Sequence, residues 1–160
     1  MNIFFIFCAE YLFALPVLIL GIYFLMQPRK TWKRMATFAL SAALLTYVVG
    51  LLGGLLYYDP RPFVVGHFKP LIPHTPDNGF PSDHALLVSA IAMIGTLWSR
   101  KLGGVLWIVA VLVAAARVYV GVHHTIDVVG SVVISIVVIS AISRVRHRTT
   151  RPARSSPDTT

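Results

Sequence analysis

Charge is scarce in this chain. Its 160 residues include 14 Lys and Arg but only six Asp and Glu, 12% charged in all, against about a quarter in an ordinary soluble domain. There is one cysteine, Cys8, so no internal disulfide can form and the redox compartment cannot be read from cysteine. No basic region followed by a small-residue cleavage site opens the chain. The first apolar run is long enough to span a bilayer, so it is expected to be retained. No internal repeat is present. What fills the sequence is apolar: 56% hydrophobic residues and a mean hydropathy of +0.75. These values exclude a soluble domain and imply one integral membrane domain. The net charge of +8 would suggest nucleic acid in a soluble protein, but the basic residues stand at the ends of apolar runs, as orientation signals do. No nucleic-acid partner is expected.

Five apolar segments predict five spanning helices, an all-α bundle. The first runs from about Ile3 to Met26, with Glu10 and Pro16 inside it, and ends at a basic loop of Arg29, Lys30, Lys33 and Arg34. The second, about Ala36 to Tyr57, carries no charge. From Tyr58 to Pro81 lie six of the ten prolines, with Asp59, Arg61, His67, Lys69, His74, Asp77 and Asn78, a structured polar loop. Ser82 stands at the N-cap position of the third helix, which runs to about Ser99. Arg100-Lys101 with Gly103-Gly104 predict a tight hairpin, followed by helices over about Leu106 to Val120 and Thr125 to Ile142. Residues 1-143 form the membrane domain. Residues 144-160 are basic, then rich in Ser, Pro and Thr, and are expected to be a disordered tail.

Five spans make the loops alternate. Eleven Lys and Arg fall on one side and only Arg61, Lys69 and Arg117 on the other, which assigns the first side to the cytoplasm. The polar loop, the start of the third helix and the junction of the last two then meet at the outer face.

At that junction, charge appears within the most apolar part of the chain: Arg117, His123, His124 and Asp127. A charge at the centre of a membrane helix costs roughly 2.5–3.5 kcal/mol on insertion scales, so it points by default to function. Two arginines, Arg61 and Arg117, offer forked donors that suit phosphate oxygens. The N-terminus of the third helix adds free amides, with Ser82 as a further donor. His123 and Asp127 are four residues apart, so the carboxylate can hold one ring nitrogen and leave the other as nucleophile or base. His84 is a candidate second proton-transfer group. The set reads as phosphoryl transfer through a histidine. His124, beside the nucleophile, is expected at the interface or behind the site. His67 and His74 read as loop residues and Asp59 as a turn residue. Gly50, Gly53 and Gly54 read as close-packing positions.

Three blocks, Arg61-Pro62, Pro81-Ser82-x-His84 and Arg117-x5-His123-x3-Asp127, resemble the signature blocks of the type-two phosphatidic acid phosphatase superfamily. The strings at 59 to 63, 70 to 74 and 80 to 84 look like its bacitracin-resistance type of undecaprenyl-diphosphatase. The resemblance covers about residues 9 to 143. It implies that His123 attacks the terminal phosphorus, with Asp127 orienting its ring. His84 would protonate the leaving lipid phosphate and then activate water, while Arg61, Ser82 and Arg117 bind the phosphoryl oxygens. It also implies a polyprenyl diphosphate substrate, no metal or other cofactor, and a multi-pass protein of the bacterial plasma membrane acting on its outer side. Two positions depart from the family. A lysine is usual where this chain has Gly54, and Lys69 is the candidate replacement. Glycine is commoner where it has Asp83, whose carboxylate, beside the substrate phosphates, is expected to turn toward the helix amides or a cation. An amphipathic leading segment is expected to be absent.

The residues leave other readings open. The lipid could be phosphatidic acid or phosphatidylglycerophosphate. The buried charges could serve a proton-coupled transporter, although they gather at one face rather than spreading along a path. A metal hydrolase would need His74, His84, His123 and Asp127 to converge.

Overall fold

The structure, a computed structural model, describes residues 1–149, with side chains through Arg146. It is all-helical, with no strand among the described residues: α1 (Asn2–Glu10), α2 (Ala14–Leu25), α3 (Arg29–Leu56), α4 (Pro62–Val65), α5 (Asp83–Trp98), α6 (Arg100–Tyr119) and α7 (Thr125–Thr149). Three helices, α3, α6 and α7, are long and apolar enough to cross a membrane. The pair α1 and α2, bent by 50°, makes a fourth if taken as one span. The sequence counts α5 as another, but at 16 residues it is about 24 Å long, short of the roughly 30 Å of a bilayer core.

α5 is nevertheless the element around which the bundle packs. Nine of its 16 residues are buried, against five of 28 in α3, and it touches α2, α3, α6 and α7. Its sequence explains the position. Ala85, Ser89, Ala92 and Gly95 are small, so neighbouring backbones approach closely, the usual basis of helix association in lipid. Ser89 donates to Ser135 Oγ on α7 (2.8 Å), and Ser135 donates to the Leu86 carbonyl (3.1 Å). The polar atoms at this crossing are therefore satisfied. The opposite surface of α3, with Leu40, Leu44, Leu51 and Leu55 exposed, is the kind that hydrocarbon covers.

Four boundaries differ from the sequence expectation, each for a local reason. The first apolar run is broken between Tyr11 and Phe13, because Pro16 supplies no N–H to the Leu12 carbonyl and its ring crowds the preceding turn. The basic stretch from Arg29 is the first turn of α3 rather than a loop, entered at Pro28. The α5–α6 hairpin turns on Ser99 alone, whose hydroxyl accepts from Leu102 N–H (3.3 Å). Gly103 lies beyond the turn, where it lets α6 close on Thr96. Finally, α7 continues to Thr149 rather than ending at Ile142, so the first part of the expected tail is helix. Residues 150 to 160, the remainder of that tail, lie outside the described residues.

The polar loop of residues 57 to 82 and the α6–α7 turn form one end of the bundle. The basic starts of α3 and α6 and the end of α7 form the other, where Arg146 Nη1 donates to the Arg34 carbonyl (3.3 Å). Gly121 closes the α6–α7 turn at φ +82, with the Phe68 ring laid against it. Only glycine adopts that conformation at little cost, and a Cβ would stand 2.7 Å from Phe68 Cε2. Gly121→Val is expected to destabilise the fold by more than about 2 kcal/mol, read as a lowered thermal midpoint in detergent.

Candidate active site

The loop is fastened to the bundle by one side chain. Asn78 Oδ1 accepts from the Asp59 (2.9 Å) and Phe80 (3.0 Å) amides, while Nδ2 donates to the Gly54 (2.9 Å) and Tyr57 (3.0 Å) carbonyls. All four hydrogen-bonding sites of the amide are used, joining the end of α3 to both arms of the loop. Gly54 makes this possible. A Cβ there would stand 3.0 Å from the Phe80 carbonyl oxygen and 3.4 Å from Pro81 Cδ, so helix and loop meet where the family more often carries a lysine. Phe80 itself lies between Gly53 and Gly130. Asn78→Ala is expected to cost roughly 2–4 kcal/mol, at about 1 kcal/mol for each bond lost, and to lower turnover by about 10²-fold through misplacement of the loop. A thermal melt and a rate measurement on the same preparation check both numbers.

Fixing the loop fixes Gly79, whose carbonyl lies 3.0 Å from His123 Nδ1. Asp127 Oδ2 stands 3.4 Å from the same nitrogen and accepts the His124 amide at 2.8 Å. The ring is thus steered by two acceptors, with the peptide carbonyl nearer than the expected carboxylate. With Nδ1 carrying the proton toward them, Nε2 keeps its lone pair. That atom faces the two arginines, 3.4 Å from Arg61 Nη1 and 3.5 Å from Arg117 Nη2.

Both guanidinium groups are buried and differently held. Arg61 donates from Nε to Asp77 (2.6 Å) and from Nη1 to the Val122 carbonyl (2.9 Å). Arg117, in the last turn of α6, donates from Nη1 to the Ala9 carbonyl (3.4 Å), which the break after α1 leaves without a helical partner. Its Nε has no hydrogen-bond partner, and it enters no ion pair among the described residues. It thus ties α6 to α1 through a carbonyl and no carboxylate pairs with it among the described residues, which leaves Nε as a spare donor that suits an anion.

Ser82 sits at the N-cap position of α5, but its hydroxyl makes no cap and, although fully buried, has no partner. Its carbonyl is held by Ser131 Oγ (3.0 Å), so the backbone is fixed and the hydroxyl is free. His84 follows in the first turn, half-buried with the Phe13 ring edge-on at 4.9 Å, within electrostatic reach of Arg117, His123 and His74. The structure therefore gathers Arg61, Ser82, His84, Arg117, His123 and Asp127 at one end of the bundle.

Two expected members stand apart. Asp83 is exposed and lines a cavity against Ala43, Thr46 and Tyr47 of α3. It enters no ion pair among the described residues, because the turn of the helix carries it away from its neighbour Ser82. Lys69 lines a cleft of about 590 Å³ with Gly121, His123 and His124, on the loop side of His123, and does not occupy the place of Gly54.

Other residues enter that composition and spacing do not single out. Asp77 is the partner of Arg61 across 16 positions, and Asn78 and Gly79 follow it. His74 approaches His123 edge-on at 6.1 Å. His124 bridges the acids behind His123, its backbone amide on Asp127 and its Nδ1 lying 3.4 Å from Asp59 Oδ2. Asp59 does more than cap a turn, since it stands beside Asp127. Burial and the Asp127 charge raise its pKa. Burial and Arg61 lower the pKa of His74. Burial works against the Asp77 carboxylate, but the Arg61 and Thr75 hydrogen bonds outweigh it and hold its pKa below the usual value. Burial lowers the pKa of His123, helped by the two arginines and opposed by Asp127. Among the described residues no group of three or more His, Cys, Asp or Glu could hold a metal ion.

Comparison with known proteins bears on the family and the fold. Undecaprenyl-diphosphatase BcrC of Bacillus subtilis is 41% identical over 91 residues, 57% of this chain and 47% of that protein. Bacitracin transport permease protein BcrC of Bacillus licheniformis is 30% identical over 131 residues, 81% of this chain and 64% of that protein. The chain thus matches about half to two thirds of these relatives' length. Among solved structures, Aquifex aeolicus LpxE superposes with a TM-score of 0.71 at 23% identity, covering 89% of this chain and 85% of that one. The transmembrane PAP2-type phosphatidylglycerolphosphate phosphatase of Bacillus subtilis gives 0.63 at 23%, covering 94% and 78%. At that identity both speak for the fold. Residues 34–151 match the PAP2 superfamily, and with its helical bundle and clustered signature residues this membrane chain belongs to that superfamily.

Proposed function

We propose that the chain hydrolyses undecaprenyl diphosphate to undecaprenyl phosphate and inorganic phosphate at the outer face of the bacterial plasma membrane, returning the carrier lipid to cell-wall synthesis. The observation that carries the chemistry is the environment of His123 Nε2, a neutral nitrogen held from behind and flanked by two guanidinium groups at 3.4 and 3.5 Å. The printed names of the relatives support the choice of lipid, and the distribution of Lys and Arg supports the sidedness.

In the first step the Nε2 lone pair forms a bond to the terminal phosphorus as the bond to the bridging oxygen breaks. The leaving lipid phosphate takes a proton from His84. Arg61, Arg117, Ser82 Oγ and the free amides at the start of α5 bind the non-bridging oxygens, whose charge spreads as the phosphoryl group moves. In the second step His84 takes a proton from water, the oxygen bonds to phosphorus, and the N–P bond breaks to release phosphate and the free imidazole. Asp127 and the Gly79 carbonyl hold the ring throughout.

The pH dependence follows from the sign of the His123 shift. Attack needs the neutral ring, and a lowered pKa keeps it neutral below the ordinary value of 6.5. The acid limb of kcat/KM assigned to His123 is expected below pH 6.5, and Asp127→Asn should move it lower still, because the carboxylate opposes the shift. A limb above 6.5, or an upward move in the variant, contradicts this electrostatic picture.

The function is tested by assaying purified protein, with chelator present, against undecaprenyl diphosphate, phosphatidic acid and phosphatidylglycerophosphate. The reading requires the diphosphate to have the highest kcat/KM. Preference for a glycerolipid phosphate overturns the substrate. Loss of activity on chelation, restored by one divalent ion, overturns the mechanism.

A further inference from the structure

His74 has no part in the chemistry above, yet the loop that carries it is tied down on both sides. Before it, the Leu71 amide donates to the Val120 carbonyl (3.0 Å), and Ile72 is buried against Ala9 of α1 and Ala116 and Val120 at the end of α6. After it, Thr75 Oγ1 donates to Asp77 Oδ2 (3.0 Å), and the other oxygen of that carboxylate accepts from Arg61 Nε (2.6 Å). Pro70, Pro73 and Pro76 restrict the backbone between these anchors. A segment fastened to the site at both ends thus presents one titratable side chain.

The His74 ring comes edge-on to His123 with 6.1 Å between centroids, and Arg61, Arg117 and His84 are also within electrostatic reach. Its Nδ1 lies 3.3 Å from the Thr75 carbonyl. A carbonyl can only accept, so Nδ1 carries the proton of the neutral ring. Nε2 has no hydrogen-bond partner among the described residues. In the neutral ring that nitrogen is a lone pair, which an anion avoids. It becomes a donor once the ring takes a second proton.

We propose that His74 is a further ligand of the transferred phosphoryl group, donating from Nε2 as an imidazolium to a non-bridging oxygen beside Arg61 and Arg117, with its proton taken from solvent as the anion binds. The inference rests on the phosphoryl-transfer reading of this site. The charged and titratable groups around the ring are Arg61 and, through Thr75, Asp77 from the loop, Arg117 from α6, His123 from the turn before α7 and His84 from α5. In the empty pocket burial and Arg61 hold the His74 pKa below 6.5, which leaves the ring neutral near pH 7. A tetrahedral dianion between the arginines offsets their charge and raises that pKa, because a neighbouring opposite charge favours the charged form. With Gly54 where the family more often carries a lysine, a cation that arrives with the anion stands in for a permanent one.

The test is a calorimetric titration of the full chain in neutral detergent with tungstate, a tetrahedral dianion that does not itself titrate between about pH 6.5 and about pH 9, where a histidine does. Wild-type affinity should fall by about tenfold for each unit of rising pH until the pKa of the bound ring is passed, the slope of one linked proton. His74→Gln keeps an amide donor but no charge. Its slope should be shallower by about one proton, with affinity at least about tenfold weaker near pH 6.5 and equal to wild type near pH 9. His74→Lys, whose charge is permanent, should bind with one affinity across the range. His67→Gln, on an exposed histidine of the same loop, should keep the wild-type slope.

Tungstate bound by the wild type without a slope overturns the proposal, as does a slope unchanged in His74→Gln or in His74→Lys, which places the proton on another group. Weakening by the same factor at every pH, or loss of the slope in His67→Gln as well, shows a disturbed loop instead of a contact. Each of these leaves phosphoryl transfer through His123 standing. Failure of the wild type to bind tungstate while it still hydrolyses undecaprenyl diphosphate removes the anion pocket itself, and His74 with it. Thermal melts establish that folded protein is compared.

Discussion

His123→Ala is expected to lower turnover by at least about 10⁴-fold while the protein still inserts and folds. The size follows from the role. A residue that forms the covalent intermediate cannot be bypassed by its neighbours, and removing a nucleophile from a hydrolase leaves only the residual help of binding groups. The mildness toward folding follows from the place. The ring sits in the turn between α6 and α7, and its hydrogen-bonding partners are a carbonyl, a carboxylate that also takes the His124 amide, and two arginines. Removing it leaves Asp127 its bond from the His124 amide and takes from the two guanidinium groups only a weak acceptor. A variant retaining more than about 1% of turnover, with substrate cleaved at the same bond, removes His123 from the covalent role. Insertion and melting are measured on the same preparation.

Arg117→Leu is expected to lower kcat/KM by about 10³-fold, comparable to removing a donor that stabilises charge in the transition state. Arg117→Lys should recover about a factor of ten, because an ammonium restores charge but cannot present two parallel donors. The stability of the leucine variant separates function from architecture. Arg117 is 4% exposed, has no carboxylate partner among the described residues, and leaves Nε unused. Such a charge burdens the fold, so leucine should melt at the same temperature or higher. Were Arg117 instead a strut, the leucine variant would melt lower. Loss of activity with gain of stability is the signature expected of a group kept for its ligand.

How much of this was legible beforehand differs between elements. The membrane class and the order of the apolar segments follow from hydropathy, which survives small errors of boundary. The boundaries themselves depend on single residues. Pro16 marks a break near Tyr11 to Phe13, but a bend of 50° depends on what α1 then packs against, including Tyr119, which stacks on Phe5 at 4.0 Å. Ser99 acts as a whole hairpin, a compression that the glycines at 103 and 104 conceal.

Within the site, Arg117, His123 and Asp127 stand out because charge amid Val, Ile and Ala requires a reason. Asp77, Asn78 and Gly79 do not, since polar residues are ordinary in a proline-rich loop and their partners lie 16 to 44 positions away. The Asn-Gly pair does mark a turn. That its carbonyl would face a histidine ring depends on the path of the loop across the bundle, which local propensity cannot fix. Gly54 has the same lesson in reverse: a missing lysine in the sequence is a close contact with Phe80 in the fold.

The most direct test of the account is rapid quench of the protein with substrate labelled at the terminal phosphate, followed by digestion and mass mapping. The account predicts a transient phosphoenzyme, stable in alkali and labile in acid, located on His123, absent from His123→Ala, and both formed and broken down more slowly in His84→Ala. Phosphate released at full rate with no label on the protein at any time, or label found on another side chain, would contradict it.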